Sequence, residues 1–240
     1  MKKDSPNVKK NKFKKYFLPA ITIALTLLVM ALVLTAYKPG RYAPVTIADQ
    51  NQVSPYLTHK LMPEIYNNAQ LDKPFEVVIT EQGLNDIVAR LPQPIRLNNI
   101  TLADPQVVLM REQIILMAAV RARPIDFFVT VELNPTINER GLLNLHINSI
   151  KLGMVNVTAV AKLIADKAYS NWLTTTGTEP NNFAAQVCRS LLRDEPFEPV
   201  FKTSDRQLRL SKIVVETKGI TAQLSPLPNQ RESRAGQNSL

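Results

Sequence analysis

Cysteine, histidine and glycine are scarce in this sequence, and each scarcity excludes a class of protein. The single cysteine, Cys188, rules out an intrachain disulfide and therefore a small scaffold held together by disulfides. Neither His59 nor His146 has a second histidine or a cysteine at metal-ligand spacing, so no zinc motif is present. The seven glycines form no phosphate-binding loop and no G-x-S-x-G motif. These absences exclude the enzymes and metalloproteins that short motifs identify.

Residues able to perform catalysis without such motifs are also sparse. Cys188 lies among the apolar residues of a helical stripe, which favours a buried and inert thiol. Ser149 and Lys151 would share one face of a strand, as a nucleophile and its base would, but serine and lysine are common neighbours on strands. No pair of acidic residues has a spacing that marks an acid–base pair. The sequence therefore predicts a protein that is not an enzyme and uses no metal or cofactor. A hydrolase that depends on Ser149 or His146 is a remote alternative.

Positive charge is concentrated in one short segment. Residues 1–16 contain seven lysines and one aspartate, a net charge of +6, whereas the whole chain carries +9. The rest of the chain is nearly balanced and has no basic patch with interleaved aromatic residues. We therefore expect no nucleic acid among the partners of this protein.

A long apolar run follows the basic segment directly. The run FLPAITIALTLLVMALVLTAY, Phe17 to Tyr37, has 21 residues and no charge, and about 20 apolar residues in a helix span a bilayer. A cleaved signal peptide would have a shorter apolar core of about 7–15 residues and a small-x-small cleavage site, which is missing because Leu34 stands where a small residue is needed. The run predicts an uncleaved transmembrane helix in the plasma membrane. Since the lysines precede it, the N-terminus is expected in the cytoplasm and the following domain outside.

Composition divides the chain into five parts. Pro39, Gly40 and Pro44 are typical of a linker after the apolar run, and the residues after Pro228 are too polar to form a core. The predicted parts are a basic cytoplasmic tail (1–16), a transmembrane helix (17–37), a linker (38–53), an extracytoplasmic α+β domain (54–228) and a disordered tail (229–240).

Hydrophobic periodicity predicts the elements of the extracytoplasmic domain. Ser54-Pro55 begins a helix that runs to about residue 68, and Thr80 caps a second helix after the strand at 75–80. Alternation predicts the further strands, and helical spacing predicts helices near 158–173 and 183–192. The predicted fold is α+β, with amphipathic helices packed on a curved antiparallel sheet. In the long helix, the predicted buried stripe is Val157, Val160, Ala161, Ile164, Ala168 and Trp172, and the predicted outward residues include Lys162 and Asp166.

The segment VVLMREQIILMAAV, residues 107–120, is apolar on both faces of a predicted hairpin. Val107 and Leu109 fall on one face and Val108 and Met110 on the other, so each face needs a cover. The cover of the second face is one of three things: the protein's own helices, a partner protein, or a lipid chain in a groove between a helix and the sheet. Adaptable methionines in these strands and the nearby bilayer, which supplies lipid at high local concentration, favour the lipid.

Five sequence features together carry a family resemblance: the lysine-rich start with its anchor, FEVVITEQGLNDIVARL, ADPQVVLMREQIILMAAV, PTINERGLLNLHINSIKLG with the helix after it, and LRLSKIVVETKGITAQL. This layout resembles the YpmS-like family of bacterial single-pass membrane proteins over about Phe75 to Trp172 and the last hairpin. The resemblance implies an arrangement like that of tubular lipid-binding domains, and binding of a lipid or lipid precursor outside the membrane. The chain departs from the family pattern at Met154-Val155-Asn156, where a Pro-containing turn is expected.

The leading hypothesis is a non-catalytic, membrane-anchored domain of a bacterial cell envelope that binds a lipid or a lipid-linked envelope precursor. The alternative is an envelope scaffold that recruits a protein partner through an exposed apolar face or edge strand. The predicted partners are the bilayer and a lipid ligand or an envelope protein. The predicted apolar groove is lined by Leu84, Ile87, Val88, Leu91, Val108, Met110, Ile115, Met117, Phe128, Val160 and Ile164.

Overall fold

The computed structural model describes residues 23, 25–27, 29–31, 33–47, 52–97, 100–122, 125–176, 182–203 and 206–228. The predicted basic tail (1–16), the first residues of the predicted transmembrane helix (17–22) and the predicted disordered tail (229–240) lie outside the described residues. The described chain has an α+β fold of two antiparallel sheets with a few helices, which confirms the predicted class. The expected single sheet is instead two sheets, because the last hairpin pairs with the strand at 75–80.

The smaller sheet has four strands in the order β1-β10-β9-β8. Its strands are β1 (Phe75–Thr80), β8 (Val200–Lys202), β9 (Gln207–Glu216) and β10 (Gly219–Pro226). The first helical segment covers one face, where Leu61 and Ala69 pack on Val77, Leu208 and Leu224. This segment is a π-helical turn at Leu57–Leu61 that continues as α1 (Met62–Ala69).

The larger sheet has six strands in sequence order, from β2 to β7. Its strands are β2 (Ile95–Leu97), β3 (Ile100–Met110), β4 (Gln113–Ala122), β5 (Ile125–Ile137), β6 (Leu143–Leu152) and β7 (Val155–Asn156). This meander includes the hairpin predicted for VVLMREQIILMAAV. Backbone hydrogen bonds from Glu112 to Val215 and from Lys218 to Leu109 join it to the smaller sheet.

Helix α2 (Glu81–Ala89) fills the space between the two sheets. Thr80 caps it as predicted, since its hydroxyl accepts a hydrogen bond from the Gly83 amide at 3.1 Å. Leu84 and Val88 then pack against Val107, Leu109, Val215 and Ile220. The first face of the VVLMREQIILMAAV hairpin is therefore covered by α2 and by the smaller sheet.

Side chains and short segments pair with the outer edges of the larger sheet, which would otherwise present unpaired amides. At the β3 edge, Asn85 pairs with the backbone of Val107. At the β6 edge, Leu145 donates to the hydroxyl of Ser190, and Ile150 donates to that of Thr158. These contacts bring α3 (Thr158–Thr176) and α4 (Phe183–Arg193) to the edge of the sheet, not over its face.

The predicted orientation of α3 is wrong. Val160 and Ile164 are exposed, whereas Lys162 and Asp166 face α4 and form ion pairs with Asp194 and Arg193. Four of the six residues of the apolar stripe expected in the core, Val160, Ile164, Ala168 and Trp172, therefore lie on the outside of the molecule, and Val157 and Ala161 are half-buried. Charge pairing with α4 fixes this orientation, and the residues that supply it are far away in sequence.

Part of the apolar run Phe17 to Tyr37 is described. Residues 25–27, 29–31 and 33–35 are helical, and their described side chains are mainly exposed. Among the described residues, no helix combines the length and apolar character needed to cross a membrane.

Candidate ligand site on the six-stranded sheet

One face of the larger sheet carries the second side of the VVLMREQIILMAAV hairpin, and a segment of the chain itself crosses it. We call residues 38–47, within the predicted linker, the strap. Just before the strap, the Leu34 carbonyl accepts a hydrogen bond from the Met154 amide, beside the end of β6. Further on, Ala43 donates to the Gln106 side chain of β3. The strap therefore runs from the β6 end of the sheet to β3, and the face beneath it is the strap face.

Tyr42 is the anchor of the strap. Its side chain is only 5% exposed and packs against Ile115, Met117 and Phe128, with the Phe128 ring edge-on at 5.1 Å. Its hydroxyl donates to the Asp104 carbonyl at 2.7 Å. Burial, together with the nearby Asp104 carboxylate, raises the pKa of Tyr42 above its ordinary value. The phenol is therefore neutral at physiological pH and keeps this hydrogen bond.

Strand register places the side chains of the strap face in two rows that cross four strands. The first row is Val108, Ile115, Glu132 and Ser149, and the second is Gln106, Met117, Thr130 and Lys151. Over β3 and β4 the rows are apolar except for Gln106, and over β5 and β6 both rows are polar. The strap face is therefore amphipathic, with an apolar half beneath Tyr42 and a polar half beside it.

The polar half contains two buried hydroxyl groups. Thr130 and Ser149 are each 7% exposed; the Thr130 hydroxyl has no hydrogen-bond partner, whereas the Ser149 hydroxyl lies beside the Glu132 carboxylate. Lys151 donates to Glu132 at 2.6 Å, so the charges of this pair cancel. A buried hydroxyl without a partner costs about 1–3 kcal/mol. A bound molecule that supplied acceptors at this place would remove that cost.

Glu132 is held as a carboxylate. Burial would raise its pKa, but the hydrogen bond from Lys151, the nearby Ser149 hydroxyl and the charge of Lys151 lower the pKa below its ordinary value. The polar half therefore offers hydroxyl donors next to a neutralised ion pair, and it has no free general base.

A small cavity opens where the strap meets β3. It has a volume of about 220 Å³ and is lined by Pro44, Val45, Thr46, Ile47, Ala89, Gln93, Asp104 and Pro105. Pockets for drug-sized ligands usually measure roughly 300–1,000 Å³. The strap thus leaves a gap at its far end, beside the hydrogen bond of Tyr42, that is too small for a whole lipid.

The structure brings five of the eleven predicted groove residues together on the strap face. These five are Val108, Met110, Ile115, Met117 and Phe128. Leu84 and Val88 pack between the two sheets, and Ile87 packs with the core of the smaller sheet. Leu91, Val160 and Ile164 are exposed. The predicted residues therefore lie in several places, and only the sheet residues share a surface.

Sequence reasoning missed Tyr42, Thr130 and Glu132. Tyr42 lies in a segment whose prolines and glycine predict a linker, and its role depends on a contact with Phe128, which is distant in sequence. Thr130 and Glu132 alternate with apolar residues, a pattern that indicates a solvated strand face. The one available signal for their place on this face was the strand register, which pairs Glu132 with Ser149 and Thr130 with Lys151.

His146 and Cys188 belong to neither of the two rows of the strap face. His146 pairs with Asn134 of β5, on the far side of the irregularity in β6 that precedes Ser149, and its ring contacts Asp194 at 2.7 Å. Cys188 is half-buried in α4. Among the described residues, no group of three or more histidine, cysteine or acidic side chains could hold a metal ion.

Comparison with known proteins adds no family to these observations. No protein-family model matches the chain, no curated protein is significantly similar to it, and no solved structure matches its fold significantly. The resemblance to the YpmS-like family stays a prediction from the sequence.

Proposed function

We propose that this protein is a membrane-anchored, non-catalytic domain of the bacterial cell envelope that binds a lipid on the strap face. Residues 17–37 form the anchor, and the domain from residue 54 onward lies outside the cytoplasm. The observation that carries the proposal is the amphipathic strap face, on which an apolar half adjoins two buried hydroxyls, of which that of Thr130 has no partner. A lipid has both parts, an acyl chain and an oxygen-rich polar group.

The two halves of the strap face define how a lipid would bind. An acyl chain packs on Val108, Ile115 and Met117, where it replaces Tyr42. The ester or phosphate oxygens accept hydrogen bonds from Thr130 and Ser149. Tyr42 now occupies the apolar half, so binding requires the strap to move aside.

The test is native mass spectrometry of the full chain, purified in detergent from a bacterial envelope, with lipid extraction of the same sample. We expect one co-purifying lipid per chain. Met117→Asp places a charge on the strap face and should abolish this lipid, because a carboxylate excludes an acyl chain. Leu116→Asp is the matched control, since Leu116 is the next residue of β4, points to the opposite face and is exposed.

Two results would contradict the proposal. One is a wild-type chain that carries no lipid and takes up none when acyl lipids are added. The other is equal retention of lipid in the Met117 and Leu116 variants, which would assign the lipid to the detergent-covered anchor. Circular dichroism of both variants establishes that they fold.

A further inference from the structure

Helix α3 presents an apolar face to solvent. Val160, Leu163 and Ile164 are 60%, 74% and 64% exposed and recur at helical spacing. Ala168 and Trp172 continue the same face toward the end of the helix, with the exposed Lys167 beside them. Adjacent large apolar side chains exposed in this way mark a surface that contacts something other than water.

The opposite side of α3 is fixed, so this face cannot turn inward. The buried Tyr169 donates to the Ala185 carbonyl of α4 at 3.2 Å. Asp166 accepts from Arg193 at 2.7 Å, and Lys162 pairs with Asp194 at 3.3 Å. The helix is held to α4 along its length, and its apolar face belongs to the folded surface.

The start of α3 lies next to the end of the predicted membrane anchor. The Met154 amide donates to the Leu34 carbonyl at 3.0 Å. Gly153 has a left-handed φ of +55°, and a Cβ there would collide with the Leu34 and Thr35 carbonyls. Only two strand residues and Val157 separate Met154, which is exposed, from α3. The last turn of the anchor and the first turn of α3 are therefore close neighbours.

We propose that α3 lies on the outer surface of the bilayer and buries its apolar face among the lipid headgroups, beside the anchor. Its 19 residues extend for about 28 Å along the membrane. Valine, leucine and isoleucine enter the acyl boundary, Trp172 takes the interfacial position that tryptophan favours, and Lys167 extends to the headgroups. This surface is distinct from the strap face. The inference rests on the anchoring part of the proposed function, not on the lipid site.

Trp172 is the only tryptophan of the chain, so its fluorescence reports directly on α3. The full chain is reconstituted in vesicles of phosphatidylcholine and phosphatidylglycerol, with or without bromine on the acyl chains. We expect bromine to lower the Trp172 emission about twofold, as for a residue at the acyl boundary. The combined change Leu163→Asp and Ile164→Asp should remove most of this quenching. Val160→Asp, as a single change, should reduce it.

Leu71→Asp is the matched control, because Leu71 is equally exposed but adjoins the smaller sheet. It should leave the quenching unchanged. The inference would be overturned if bromine did not quench the fluorescence of wild-type Trp172, whether or not the second quencher, acrylamide, reaches this residue. Protection from both quenchers would overturn the inference in favour of contact with a second copy of the chain. Release of the wild-type chain by alkaline carbonate would overturn the anchor and this inference together. Retention without quenching would overturn this inference alone.

Discussion

Asn85 acts as a single-residue extension of the β3 edge. Its side-chain amide donates to the Val107 carbonyl at 2.7 Å, and its side-chain oxygen accepts from the Val107 amide at 2.8 Å. Both backbone groups are buried, and β2 is too short to reach them. A helix residue therefore makes the two hydrogen bonds that a neighbouring strand would make.

Replacing Asn85 by alanine should lower the free energy of unfolding by about 2–3 kcal/mol, because two buried backbone groups lose their partners. The measurement is urea unfolding of the full chain in detergent, followed by circular dichroism. Asn148→Ala, on the exposed side of β6, should change the free energy by less than about 0.5 kcal/mol. An equally small effect at Asn85 would show that water can satisfy Val107.

At the scale of the element, local pattern determined most of the fold and long-range contacts determined the candidate site. The strands at 75–80 and 107–121 and the capped α2 follow from alternation, helical spacing and Thr80. The outward face of α3 does not, because it depends on Asp194 and Arg193, which no periodicity connects to it. The strap follows from no rule of periodicity, since side chains distant in sequence hold it.

Tyr42 is the only buried side chain of the strap, whose other contacts with the sheet include two exposed hydrogen bonds to Gln106, so the strap is separable from the sheet. In Tyr42→Ala, hydrogen–deuterium exchange should show faster exchange of residues 38–47, whereas the β3–β4 hairpin stays protected by its own ladder. Tyr37→Ala is the control, because Tyr37 is exposed and directly precedes the strap. If the lipid replaces Tyr42 as proposed, lipid occupancy should rise in Tyr42→Ala. Collapse of protection throughout the sheet would mean that the strap is part of the core.

Across the whole molecule, three carboxylates join separate parts of the fold. Asp86 of α2 accepts from Ser54 before the first helix, Glu132 pairs β5 with β6, and Asp194 links β6, α3 and α4. At each, burial opposes ionisation, but hydrogen bonds and neighbouring positive charge prevail and lower the pKa below its ordinary value. Acid therefore weakens the molecule at three places at once.

A carboxylate whose pKa is lower in the folded state contributes stability above its unfolded pKa of about 4 and loses it as the pH falls through the folded pKa. The free energy of unfolding should therefore be level near pH 7 and fall steadily below about pH 5.

Glu132→Gln should cost about 1–2 kcal/mol at pH 7, where it leaves Lys151 without its partner. The difference from wild type should shrink as the pH falls through the folded pKa of Glu132, because the carboxyl is then protonated in both folded and unfolded chains. Urea unfolding over this pH range measures both effects, with Glu139→Gln in the exposed turn after β5 as the matched control. A cost that stays constant down to pH 2 would mean that Glu132 stabilises the fold by its shape, not by its charge.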